Sequence, residues 1–433
     1  MNYIDDIQAG FDRNPAIHDY RINLGAGRGS GVGIRDNDIG SVYSPISFSD
    51  TIGGSFLVQW QDGRLSRGNL DGNSLQELAQ VFERARAAAY DDPDAAQFLG
   101  PQQVHSVELS SPDIAPLFGE RAGFLLEVVA ILQELATRHG AKTLNGGAGA
   151  GIGESWLRTS RGLDLHGTGT SFSFSASFDG IIGDGFRRHT LVDPAEIRTK
   201  IGRVGDYFEH LQRTASDAQN RQRTIILHPN VAHSLFDFFV WGNMGGSAIY
   251  HGQSPWKKDD FTAGLQVLRE DFHVRVEPWE PLGPGSFGWT SEGLPSAPVT
   301  YIDAGRLVSP LLDLKYARRL DLPPLTPPGG EHSVHITAAT ESDADALISD
   351  TQDGLLVLSV LGLHTQDRTS GSYSLSAPQT LLIRDGEIQG KVKVTLNGNF
   401  LDNLRDDALR LVRFVDQHSP GFAFPGSATI EGT

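Results

Sequence analysis

Two histidines, His228 and His233, come nearest in type and spacing to a metal-dependent chemistry, in the run His228-Pro229-Asn230-Val231-Ala232-His233. A helical zinc site pairs two neutral imidazoles near one face, and a glutamate after the first supplies the base that activates water. Here a proline follows His228, so no base is supplied. Proline also favours the first helical position, which puts His228 at the entry of a helix rather than within it. A capping or surface role is therefore expected for both. His166, His189 and His251 are isolated and read as hydrogen-bonding or surface residues. No catalytic or cofactor-binding residue is assigned and no metal ligand is expected, with His228 and His233 as the only candidates.

Other chemistries fall away on residue type. The 433-residue chain has no cysteine, which excludes disulfides, thiolate nucleophiles and sulfur-ligated zinc. It has no Gly-x-Ser-x-Gly elbow. The adjacent carboxylates Asp259-Asp260 and Asp406-Asp407 point in different directions and read as solvated. Two glycine clusters, Gly25 to Gly31 and Gly146 to Gly151, lack the strand-before, helix-after setting of a dinucleotide site, and neither is followed by the Lys-Ser or Lys-Thr of a phosphate loop. They read as flexible turns. A net charge of −17 argues against nucleic acid as a partner, because such binding draws on Lys and Arg. No apolar run reaches the roughly 18 residues of a membrane span, and the opening Met1 to Asp6 is acidic, unlike a secretion signal. A cytoplasmic location is expected.

The elements that would position such residues follow from periodicity. The first seventy residues alternate apolar and small residues, as in Ser55 to Trp60, and read as strands joined by turns. A helix capped at Asn73-Ser74 carries Leu75, Leu78, Val81 and Phe82. Another is expected from about Phe118 to His139, stopped by Gly140. Phe172, Phe174 and Phe178 share one face of a strand. Asp193-Pro194-Ala195-Glu196 reads as a capping box opening a helix with Ile197, Ile201, Val204, Phe208 and Leu211 buried. A strand at Thr224 to Leu227 leads to a helix from Pro229 that Gly242 ends. Asp385-Gly386 suits a tight hairpin, and the prolines between Pro323 and Pro328 mark a loop. The expected class is α+β, mainly antiparallel sheets with packed helices, in two domains, 1–222 and 223–433, parted in the polar run Ser216 to Arg223.

The second half carries a resemblance. Asp353-Gly354-Leu355-Leu356-Val357, Gly371-Ser372-Tyr373-Ser374, Ile383 to Ile388 and Val394 to Asn399 closely resemble the final segment of the TldD/PmbA metalloproteases. Thr290 to Pro295 is similar to the family's D-x-E-G-x-P turn, with Thr290 departing from Asp, and Tyr301 to Leu307 to its i-x-x-G-x-L strand. Thr224 to Ala232 resembles the strand entering the family's central helix, Gly246 to Tyr250 the glycine-rich segment after it, and Asp62 to Leu65 part of the N-terminal domain. The resemblance spans about Ser55 to the C-terminus. It implies a choice between two subunit types. TldD-type subunits hold zinc through His-Glu-x-x-x-His and a C-terminal cysteine; TldE-type (PmbA) subunits lack both and pair with a TldD-type subunit in a peptidase for unfolded or precursor peptides. Aligned on the preceding strand, the His-Glu pair falls near Asp237-Phe238 and the second His near Gly242. The resemblance thus implies a TldE-like partner subunit without zinc of its own, facing a peptide substrate, with homodimers possible when it is alone. A metal enzyme rebuilt on the histidine pair, or a homodimeric binding protein, are the alternatives.

Overall fold

Alternating apolar and small residues build one antiparallel sheet from the first part of the chain. The structure, a computed structural model, describes residues 3–41, 44–74, 76–215 and 221–430. The sheet contains β1 (Ile17–Arg35), β2 (Asp38–Ile39), β3 (Ser47–Trp60), β4 (Leu65–Asp71), β5 (Leu144–Thr159), β6 (Asp164–Phe178) and β7 (Ile182–Arg188). Their order is β4-β3-β1-β5-β6-β7, with β2 beside β1. Two pairs of helices cover this sheet: α1 (Tyr3–Asp12) with α2 (Leu78–Ala87), and α3 (Gly123–Arg138) with α4 (Pro194–Leu211). Phe172, Phe174 and Phe178 all point into the α3–α4 core, as their spacing predicts.

The second part holds two further sheets. A small one joins β9 (His273–Val276), β10 (Val299–Asp303), β11 (Arg306–Leu307) and β12 (Val334–Thr337). The larger one contains β8 (Arg221–Leu227), β13 (Glu341–Asp343), β14 (Asp353–Leu361), β15 (Ser372–Arg384), β16 (Glu387–Asn399), β17 (Arg410–Arg413) and β18 (Gly421–Ile430). Because β8 pairs with both β14 and β18, the ladder β8-β14-β15-β16-β18 closes on itself. Most pairings are antiparallel, the expected α+β class; β8 with β14 and β13 with β17 are parallel. Asp385 and Gly386, both at positive φ, make the β15–β16 hairpin. Among the described residues no helix is long and apolar enough to cross a membrane.

Each face of the closed ladder is buried against different helices. Ile225 and Leu227 pack with the helix α5 (Pro229–Phe236) that follows, whereas Ile226 packs with Tyr207 and Leu211 of α4. The N-terminal end of α4 serves the first sheet through Ile197 and Ile201. One helix therefore holds the two large sheets together. Ionic contacts add to this: Asp92 and Asp94 meet Lys315 and Arg319, and the half-buried Glu292 accepts the Leu314 amide at 2.7 Å while facing Arg21.

Several local expectations are overturned. The two glycine clusters are not turns but the middles of β1 and β5, paired over their whole length. Backbones approach so closely here that a Cβ on Gly147, at φ +145°, would lie 2.2 Å from the Val32 carbonyl oxygen. The N-terminal residues, acidic in the first turn, form α1, whose Ile4, Ile7 and Phe11 are buried; Met1 and Asn2 lie outside the described residues. Ser74 does not cap a helix. It bonds the Asp71 amide and carboxylate, and α2 begins only at Leu78; Leu75 lies outside the described residues. α3 starts at Gly123, after a 3₁₀ turn at Ala115–Phe118. Asp193 caps α4 by accepting the Ala195 amide, but Glu196 pairs with Arg188 instead of completing a capping box. Of the polar run Ser216 to Arg223, residues 216–220 lie outside the described residues.

Gly147→Ala should lower the unfolding free energy by about 2–4 kcal/mol, from a strained φ together with the backbone clash. Gly33→Ala, where a Cβ meets nothing within 4 Å, should change it by less than about 0.5 kcal/mol. Urea denaturation of both variants checks the pair; equal effects would contradict the close approach.

Candidate functional site

The approach to α5 is set by its cap. β8 ends at Leu227, His228 adopts an extended backbone, and Pro229 opens the helix. The His228 Nδ1 accepts the Asn230 amide at 3.4 Å, so Nδ1 is the unprotonated nitrogen. The ring is 6% exposed and packs edge-on against Phe414 and Tyr207. His233 lies within the helix, half-buried; the two are five positions apart, about 140° around a helix axis. The structure does not bring the two imidazoles to a shared point. His166 pairs with Glu154, His189 with the Thr170 carbonyl, and His251 stands beside Tyr316.

Gly242 does not end the helix. α5 runs into a π-helical turn, Asp237–Trp241, and then Gly242–Met244, before the backbone turns extended at Gly245. π turns recur at functional sites, yet this one is built for packing. Phe239 and Val240 are fully buried; Phe239 lies against Phe238 and Phe400, and Trp241 lies edge-on to Phe236 and Tyr301. The buried Asn243 donates to the Phe239 and Arg368 carbonyls, tying the turn to the loop before β15. Asp237 is the sole ligand-type side chain in the turn, and it is exposed. Among the described residues no three His, Cys, Asp or Glu side chains are grouped to hold a metal ion. A zinc site needs three or four such donors at 2.0–2.3 Å, so these residues do not fit one.

A buried polar cluster lies beside the His228 ring. Lys200, on α4, is 5% exposed; its Nζ meets Asp184 at 2.8 Å and the Asp416 carbonyl at 3.1 Å. The Gln417 amide donates to both Asp184 and Asp416 carboxylates. One Asp416 oxygen is buried without a partner, and burial raises that carboxyl's pKa. A cavity of about 110 Å³ separates His228, Tyr207, Asp184 and Asp416, large enough for water. Burial, opposed by Asp184 and reinforced by Lys200, lowers the His228 pKa to about 4. The ring is therefore neutral at physiological pH. Sequence reasoning missed this cluster because it gathers four distant segments. Its one visible signal was Lys200 on the apolar stripe of α4, between Ile197 and Val204.

His228 makes stability pH-dependent with a definite sign. Its folded pKa lies below the unfolded value of 6.5, so its contribution is complete above pH 6.5 and is lost as pH falls toward 4. His228→Asn, which keeps a capping acceptor without titrating, should remove on the order of 2 kcal/mol of the stability lost between pH 7 and 5. Denaturant midpoints at the two pH values check it; an unchanged slope would place the ring in solvent.

The geometry has counterparts among known proteins. Residues 220–412 match the family model of the PmbA/TldA metallopeptidase C-terminal domain. No curated protein sequence matches the chain. Among solved structures, it is similar to TldE from Thermococcus kodakarensis, at 18% identity and TM-score 0.76, covering 99% of both chains. It is also similar to a protein described as a modulator of DNA gyrase from Thermotoga maritima, at 17% identity and TM-score 0.73, covering 99% of this chain and 100% of that one. A third, described likewise and from Bacteroides thetaiotaomicron, has 15% identity and TM-score 0.76, with 99% of both chains covered. Residues 220–412 thus belong to the PmbA/TldA metallopeptidase C-terminal domain family, and the chain shares the fold of these solved structures along its length.

Proposed function

We propose that this chain is a TldE-like subunit that binds no zinc and works with a TldD-like partner, which holds the metal, in a peptidase for unfolded or precursor peptides. The observation that carries the reading is the Asp237–Trp241 turn. Where the resemblance puts a His-Glu pair, the chain has a solvent-facing aspartate followed by packed aromatic rings. Zinc hydrolysis needs imidazole or carboxylate donors and a base beside the bound water. Phe238, Phe239 and Trp241 can be neither. The similarity to a protein named TldE fits this reading. The chain would then contribute binding surface and water exclusion, while the partner supplies the nucleophile.

Two further elements belong to the proposal. The chain divides into an N-terminal part, 1–222, and a C-terminal part, 223–433, with α4 packed against both large sheets. The assembly acts in the cytoplasm. The rival reading, a metal enzyme rebuilt on His228 and His233, has two observations against it. His228 spends Nδ1 on the helix cap, and His233 lies on another side of α5.

Metal content measured by plasma mass spectrometry tests the reading, on the chain alone and after co-expression with a TldD-like partner. The isolated chain should carry essentially no zinc, and the co-purified complex about one zinc per TldD-like subunit. Stoichiometric zinc on the isolated chain, lost in His228→Ala or His233→Ala, would overturn it in favour of the rebuilt site.

A further inference from the structure

The helices α1 and α2 touch where Gly10 meets Leu78: a Cβ on Gly10 would lie 2.2 Å from the leucine Cδ2. Beside that contact they leave a cavity of about 810 Å³, within the roughly 300–1,000 Å³ range of small-molecule pockets. Each helix turns one face to it. Asp6 and Gly10 of α1, with Arg13 just after that helix, are spaced i, i+4, i+7. Ala79, Phe82, Glu83 and Arg86 of α2 are spaced i, i+3, i+4, i+7. The inner wall is apolar and fixed: Trp60 and Phe82 are buried and Leu78 is half-buried. The Trp60 indole N–H donates to the Ser66 hydroxyl at 2.8 Å, which donates in turn to the Ala85 carbonyl of α2 at 2.6 Å. Phe82 lies edge-on to Phe11 of α1, with ring centres 4.8 Å apart. The Arg86 guanidinium lies 5.2 Å from the Trp60 ring centre, and two of its nitrogens bond the Asp62 carboxylate at 3.0 and 2.8 Å. Side chains held in this way do not swing in to fill the space, and Ala16, Ala79 and Ala87 are too short to do so. The cavity is pre-formed, which lowers the ordering cost of binding.

Charge around the cavity is balanced. Arg13, Arg64 and Arg86 line it together with Asp6 and Glu83, and Asp62, bonded to both Arg64 and Arg86, is the third anion. A ligand with a net charge would lose water against the apolar wall and gain no net opposite charge in return, which disfavours it. An apolar wall with polar groups gathered at the rim suits a ring system whose polar substituents lie at its edge. Trp60 and Phe82 also favour aromatic rings beyond the area they bury.

We propose that this cavity binds an uncharged, aromatic small molecule, with its rings on Trp60, Phe82 and Leu78 and its polar edge at the rim of arginines and carboxylates. Such a ligand bridges α1 and α2 and stabilises the first part of the chain by binding only its folded form. The site lies wholly in that first part and stands apart from the peptidase reading above.

The experiment is a fluorescence titration of the full-length chain with N-phenyl-naphthylamine, an uncharged probe, and with anilinonaphthalene sulfonate, an anion on the same rings. The uncharged probe should saturate at about one per chain, raise the melting temperature, and bind at least about tenfold more tightly than the sulfonate. Ala79→Trp fills the cavity from an exposed position and should weaken the uncharged probe at least about tenfold. Gln80→Trp, exposed on α2 and outside the cavity lining, should leave binding unchanged. Ala87→Trp repeats the first test near the other end of α2 where Ala79→Trp lowers the melting temperature. Absence of saturable binding, or binding that neither lining substitution weakens, overturns the site. Sulfonate binding as tight as that of the uncharged probe overturns the uncharged class of ligand.

Discussion

The closed ladder β8-β14-β15-β16-β18, buried on both faces, is the constraint on which the rest of the structure depends. A sheet with two covered faces needs an apolar element against each, and the alternation Ile225, Ile226, Leu227 assigns them: α5 with its π turn on one side, α4 on the other. Closure gives β8 a partner on each side, β18 along its whole length and β14 along Thr224 to Leu227. It also commits the turn after α5 to packing. Phe239 and Trp241 sit where a polar ligand would need solvation or a metal, and a buried charge there would cost several kcal/mol unless paired.

The same arrangement explains why α4 matters more than its place in the sequence suggests. It carries apolar residues to both sheets and one buried cation, Lys200, between them. Lys200, Asp184, Asp416 and Gln417 bond to one another across strand, helix and loop, leaving one Asp416 oxygen without a partner, and the neutral His228 ring closes the cluster against Phe414. Removing Lys200 or Asp184 leaves the other's charge buried without its partner, which is strongly destabilising. The cavities on either side of it share Asp184, Asn230 and Asp416, and the outer one runs on to the edge of β7. The first sheet thus keeps an open edge at the place where the second part of the chain meets it.

Much of this was legible in the sequence, because it depends on neighbours in the chain. Apolar spacing found α4 and the Phe172–Phe178 strand, Asp193 and Pro194 marked a helix start, Asp385-Gly386 marked a hairpin, and the order of soft motifs carried the family resemblance. The residue types after α5, Asp237-Phe238 and then aromatic and apolar residues, were visible directly. Other features were hidden by the choice among tertiary partners. Glycine clusters read as turns because glycine permits them, but close strand neighbours can demand glycine equally, and β1 against β5 decides which. Gly242 read as a stop, yet packing of Trp241 on Tyr301 carries the helix through it. The sequence by itself determined the local elements, the lack of sulfur ligands and the apolar character of the turn after α5, because these are properties of short segments. Tertiary structure alone decided the closure of the second sheet, the burial of Lys200 between Asp184 and Asp416, and the free edge of β7, because each depends on which distant segments meet.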